Sequence, residues 1–72
     1  MKLSECEFNK KYVIKSIKAA DKLLKRLAEL GIAAGAEITP LKLSPLKSSL
    51  LVSVYRYRLS LRSDLAEKIE VE

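Results

Sequence analysis

Cys6 stands between Glu5 and Glu7, the one stretch of this chain where a soft sulfur and hard carboxylate oxygens are sequence neighbours. Ligands for a transition metal must converge on one point. Consecutive residues of an extended segment point to opposite faces, so Cys6 and its two glutamates diverge, and the sequence has no histidine to complete a set. The expectation is a chain with no metal site and no cofactor of its own, in which Cys6 is buried as a small apolar residue rather than held reactive.

Catalysis lacks its parts as well. Without histidine, proton transfer would fall to a carboxylate or a lysine in a pocket, and a barrel of this size fills its interior with side chains. No glycine-rich stretch precedes a Lys-Ser or Lys-Thr pair, so there is no loop to cradle a nucleotide phosphate. The sequence therefore reads as a binding protein and not as an enzyme.

Two constellations suit binding. Around residues 20–30, Lys22, Lys25 and Arg26 surround Leu24, which lies about 100° around a helix axis from Leu23 and so falls at the border of the apolar stripe or outside it. Such a surface can meet an acidic partner face, although solvated helix charges are the plainer explanation. Farther on, Tyr55, Arg56, Tyr57 and Arg58 interleave aromatic rings with guanidiniums, with Lys47 in another loop and Arg62 beyond. Single-stranded nucleic-acid binders use that mixture for stacking and phosphate contact. Tyr57 is expected to point inward, which leaves a thin platform and favours a protein partner. The candidate partner-binding residues are Lys22, Leu24, Lys25, Arg26, Lys47, Tyr55, Arg56 and Arg62.

The elements that must position these groups follow from spacing. Met1 to Lys11 is polar apart from Leu3, Cys6 and Phe8, which are expected to lie on the core. Tyr12 to Ile17 is β-branched and aromatic, a strand. From Ala20 to Leu30 the apolar positions Ala20, Leu23, Leu24, Leu27 and Leu30 recur by three and four, one face of a helix, with Leu23, Leu27 and Leu30 as its core stripe. Gly31 suits the left-handed position just past that helix, leaving Ile32 to pack back on Leu27. Ala36 to Thr39 reads as a strand, and a kink at Pro40 would bring Leu41 and Leu43 inward despite their opposite parity to Ile38. Leu50, Val52 and Val54 share one parity while Tyr57, Leu59 and Leu61 share the other, so a tight turn must fall near Tyr55 and Arg56. Ser63 is placed to cap a helical turn through Asp64 to Ala66, and Ile69 with Val71 closes the chain as a strand.

With 72 residues the chain holds one domain, residues 1–72, whose expected fold is mainly β with one helix: a small barrel of about five short strands with its edges closed. Half of the residues, 49%, are hydrophobic, and 14 basic against 9 acidic side chains leave a net charge of +5, which favours acidic partners. A single cysteine, no leader-like apolar start and no run of roughly 20 apolar residues point to the cytoplasm.

Several pieces, in order, resemble the FeoA family of ferrous iron transport accessory proteins. They are Met1-Lys2-Leu3-Ser4-Glu5, then Arg26-Leu27-Ala28-Glu29-Leu30-Gly31-Ile32 with Gly35 beyond, and Leu59-Ser60-Leu61-Arg62 followed by Ile69-Glu70-Val71. The resemblance spans nearly the whole chain and implies an SH3-like barrel with an inserted helix. It also implies a regulatory role in ferrous iron uptake, through binding the cytosolic GTPase domain of a FeoB-type membrane transporter. The same barrel is similar to the C-terminal domain of iron-dependent repressors, so an effector module of such a regulator, a basic nucleic-acid-binding barrel and a self-associating module are the alternatives. Members of the family usually have glycine where this chain has Asn9, Lys47 and Arg56, and leucine where it has Cys6. Asn9 can still adopt a left-handed backbone; Arg56 does so at a cost, so the turn there is expected to be longer or differently wound than the family pattern.

Overall fold

The computed structural model describes residues 1–72. A single 3₁₀ turn, Leu3–Glu5, precedes strand β1 (Tyr12–Ile17), helix α1 (Asp21–Glu29), strands β2 (Glu37–Leu43), β3 (Ser49–Val54) and β4 (Tyr57–Arg62), a one-turn helix α2 (Ser63–Ala66) and strand β5 (Ile69–Val71). All strand pairs are antiparallel, in the order β4-β3-β2-β1-β5. Because β4 and β5 do not pair, the sheet stays open, where a closed barrel was expected. The β5 edge is covered instead by the start of the chain: Lys2 bridges Glu70, and Val71 donates its N–H to the Met1 carbonyl at 2.7 Å.

The strands form where β-branched residues alternate. On β3, Leu50, Val52 and Val54 are buried while Leu51 and Ser53 stay half-buried. They join Leu3, Tyr12, Ile14, Leu27, Ile32, Ile38, Leu61, Ala66, Ile69 and Val71 in one core. Burial of this kind contributes about 25 cal/mol per Å² of apolar surface removed from water.

The parity conflict at Pro40 is resolved by a bulge. Pro40 pairs Val52 and Lys42 pairs Leu51, so Leu41 is the extra residue. Leu41 becomes half-buried, but Leu43 remains 39% exposed and does not reach the core. The second parity switch is a two-residue hairpin turn: Val54 pairs Tyr57 directly across Tyr55 and Arg56. It is therefore no longer than a standard hairpin. The positive φ falls on Tyr55 (54°) and not on Arg56, the φ signature of a type II′ turn, which ordinarily favours glycine at its first central position. Asn9 (62°) and Lys47 (58°) are left-handed too.

Helix α1 ends as its sequence indicates. Ile32 donates its N–H to the Leu27 carbonyl at 2.8 Å and Gly31 donates to Ala28 at 3.0 Å, the paired bonds of a Schellman stop, with Gly31 at φ 88°. The helix buries less than its stripe implies. Leu27 is buried, whereas Leu23 (38%) and Leu30 (45%) are exposed, so the expected three-leucine core stripe narrows to one side chain. Phe8 also misses the core, at 47% exposure. Ser63 does not cap α2 with its side chain; its hydroxyl donates to the Lys47 carbonyl at 2.6 Å, tying the loop before β3 to the end of β4.

Candidate functional site

A groove lies between helix α1, the turn that follows it and strand β1. Its volume is about 410 Å³, and Lys15, Ser16 and Ile17 of β1, Leu24 and Ala28 of α1, and Ile32, Ala33 and Ala34 of the following turn line it. The groove exists because its walls are cut short: Ala28, Ala33 and Ala34 project a single methyl each where larger side chains would meet across the gap. Leu24 is half-buried and forms one apolar wall, at the border position its spacing indicates. Lys22, Lys25 and Arg26 are exposed on the same helix but do not line the groove: at 100° per residue Lys22 and Arg26 fall about 160° around the axis from Leu24, and Lys15 of β1 is the cation on the lining. An apolar trough with Lys15 at its edge suits a segment that brings an apolar side chain and a carboxylate together.

The eight candidate residues do not form one surface. Lys22, Leu24, Lys25 and Arg26 share α1. Tyr55 and Arg56 sit at the tip of the β3–β4 hairpin, which leans on the end of that helix: a methyl group built on Gly31 would lie 2.5 Å from Tyr55 Cε2 and 3.5 Å from Val54 Cγ1. Tyr55 is 73% exposed. Lys47 and Arg62 are brought together at the opposite end of β4, through the bonds from Ser63 to Lys47 and from the Ser63 N–H to the Ser48 carbonyl at 3.0 Å. The length of β4, about 17 Å at 3.4 Å per residue, separates the two groups. Tyr57 is 40% exposed, where an inward side chain was expected.

Spacing singled out Leu24 and its basic neighbours but missed the floor of the groove, Ile17, Ile32, Ala33 and Ala34. The run Ala33-Ala34-Gly35 was the available signal, since three residues this small in a row cannot cover what lies beneath them.

At the other end of the molecule, Cys6 Sγ lies 3.4 Å from Met1 Sδ and 3.3 Å from the Lys2 carbonyl. Loss of water contact pushes its thiol upward from the ordinary value, partly offset by a hydrogen bond with Tyr12. Glu5 turns away to accept the Lys2 N–H at 3.3 Å, and no three His, Cys, Asp or Glu side chains gather anywhere in the fold.

A five-stranded antiparallel sheet with a helix inserted after its first strand defines a small SH3-like domain, here with an apolar groove and an excess of cationic side chains. The FeoA domain model matches residues 1–72. The chain belongs to the FeoA family, whose members are accessories of ferrous iron transport. It is 35% identical over all 72 residues to the Fe(2+) transport protein A/Fe(2+) transporter FeoB fusion protein of Porphyromonas gingivalis, of which it spans 8%. The solution structure of FeoA from Chlorobium tepidum superimposes with a TM-score of 0.90 at 32% identity, covering 99% of this chain and 68% of that one. The zinc-complexed FeoA of Stenotrophomonas maltophilia, a prokaryotic SH3 domain protein, gives 0.79 at 32% identity, covering 100% and 89%. No helix of the chain is long and apolar enough to cross a membrane.

Proposed function

We propose that this domain regulates ferrous iron uptake in the cytoplasm by docking on the GTPase domain of a FeoB-type transporter through the groove between α1 and β1. The observation that carries this reading is the groove itself, with Leu24 of α1 on one wall and Lys15 of β1 on the other. The occurrence of both parts in one polypeptide in the Porphyromonas gingivalis fusion supports the choice of partner, because joining two modules raises their effective concentration only where the two can engage. Tyr55, close against Gly31 at the end of the helix, lines a separate hollow with Lys11, Gly35, Ala36 and Glu37 and is not part of the proposed docking groove. A binder shifts a nucleotide-driven equilibrium only by preferring one state, so affinity differs between the GTP- and GDP-bound partner.

The test is binding to the purified cytosolic domain of FeoB from the same genome, with GDP and with a non-hydrolysable GTP analogue, at low and moderate salt. Saturable binding that prefers one nucleotide, changes little with salt and is lost in Leu24→Lys supports the reading. Binding to neither form overturns it. Equal affinity for both forms removes regulation and leaves scaffolding. Under the nucleic-acid alternative, affinity for single-stranded DNA or RNA would instead fall steeply with salt.

A further inference from the structure

Strand β4 is the one sheet edge left bare, since β5 is covered by Met1 and Lys2. Its unpaired backbone groups can be assigned. Val54 and Tyr57 flank a two-residue turn and so exchange hydrogen bonds, and alternation along an antiparallel ladder then turns Leu59 and Leu61 toward β3 as well. The Ser63 N–H, bonded to the Ser48 carbonyl, continues that phase beyond the strand. The backbone N–H and C=O groups of Arg58, Ser60 and Arg62 therefore face out of the sheet.

The same three residues are exposed on the outer face of the sheet, opposite to buried Leu61. Two arginines whose Cα atoms stand about 13 Å apart thus flank a small hydroxyl. The only ion pair on this row joins Arg62 to Asp64 at 3.6 Å with both side chains largely exposed, a contact worth little against a competing carboxylate. Beside Ser60 the outer face holds a shallow trough of about 370 Å³, lined among others by Leu51, Leu43 and Pro45. Because Ser60 is small, a long apolar side chain from a neighbouring strand can lean across it toward Leu51, its partner on β3.

We infer that β4 accepts an extended acidic polypeptide segment as a sixth strand, one that carries carboxylates four residues apart with an apolar residue midway between them. Backbone bonds to Arg58, Ser60 and Arg62 supply the attachment, and the two arginines with the trough select the sequence. A second copy of this chain is disfavoured as occupant by the same row: antiparallel pairing of two β4 strands about Ser60 sets Arg58 against Arg62 of the other copy, like charges directly opposed. This edge lies three strands from β1, about 14 Å, and is separate from the groove between α1 and β1.

The experiment uses the full chain and an acetylated, amidated peptide with glutamate at its second and sixth positions, phenylalanine at its fourth and threonine elsewhere. Fluorescence anisotropy reads affinity, and amide hydrogen exchange by NMR reads the site. Saturable binding that newly protects the amides of Arg58, Ser60 and Arg62 is expected. Binding should weaken at least about tenfold in Ser60→Pro, which removes only an outward-facing donor and is tolerated on an edge. Retained protection of Leu59 and Leu61 shows that this variant is folded. Independently of any variant, N-methylation of the peptide's phenylalanine amide, which in an antiparallel sixth strand faces the Ser60 carbonyl, should abolish binding, as should moving one glutamate by a single position, which turns it to the opposite face. The inference is overturned if the shifted or N-methylated peptide binds as well as the original, if protection appears at residues 15–17 and 24–34 instead, or if the chain dimerises through β4.

Discussion

Gly31 lies directly beneath the ring of Tyr55, so closely that a methyl group on Gly31 would stand 2.5 Å from Tyr55 Cε2 and 2.8 Å from Cδ2. Gly31 also has φ 88°, which penalises any residue with a Cβ by about 1–2 kcal/mol. Gly35, at φ 93°, has nothing within 4 Å of the same position. Gly31→Ala is therefore expected to destabilise the fold by about 2–3 kcal/mol and Gly35→Ala by about 1 kcal/mol in urea unfolding. Combining Gly31→Ala with Tyr55→Ala should recover part of the difference, since the ring is then gone. Equal costs for the two glycine substitutions would show that the ring yields freely.

Lys47 holds a left-handed backbone (φ 58°) with an exposed side chain and no ion pair, so its conformation costs energy that its side chain does not repay. Lys47→Gly removes that strain but frees the unfolded chain, two effects of opposite sign. Relief of strain is the larger, and the midpoint of urea unfolding should rise by the equivalent of about 0.5 kcal/mol without a change in m-value.

Local chemistry was legible in the residues wherever a bond closes within a few positions. Gly31 and Ile32 announce the end of α1, Pro40 announces a bulge, and the change of parity between Val54 and Tyr57 announces a hairpin. What depends on distant partners was not. Whether β4 meets β5 is decided by how Met1 and Lys2 run along Glu70 and Val71, seventy residues apart in the chain. Likewise Leu23, Leu27 and Leu30 have the same spacing signature, yet only Leu27 has core residues beneath it. The groove was half legible, through Leu24, because a helix border can be read from periodicity; its floor is signalled by the small size of Ala33, Ala34 and Gly35 and not by any spacing, so a reading by periodicity passes over it.

Glu70 accepts a hydrogen bond from the N-terminal ammonium at 3.1 Å, and that bond, reinforced by the charge of the ammonium, holds its carboxyl below the ordinary value. A carboxyl whose pKa is lower in the folded state stabilises the fold above its unfolded pKa and loses that contribution as pH falls through the folded one. Stability of the native chain should therefore decline below about pH 4.5 through this pair, and Glu70→Gln should flatten that part of the acid limb while leaving the neutral plateau nearly unchanged, because the pair is exposed. Carbon-13 NMR of the Glu70 carboxyl checks the direction; a titration at or above the ordinary value would contradict it.

The leucines of α1 separate folding from binding. Leu27 is 4% exposed, and its truncation to alanine should cost about 2–4 kcal/mol, a large part of the stability of a domain this small. Leu23 and Leu30 already face solvent, so Leu23→Lys and Leu30→Lys should each change stability by less than about 1 kcal/mol. Leu24 is the informative position: it is half-buried at the rim of the groove, where a lysine can lay its stem along Ile17 and place its ammonium in water. Leu24→Lys should thus fold with a loss of about 1 kcal/mol, read by thermal or urea unfolding, yet fail to bind the FeoB cytosolic domain. Leu23→Lys, on the other flank of the helix, should bind normally. A Leu24→Lys protein that unfolds would place this residue in the core, and a Leu23→Lys protein that stops binding would move the interface off the groove and onto the solvent face of the helix.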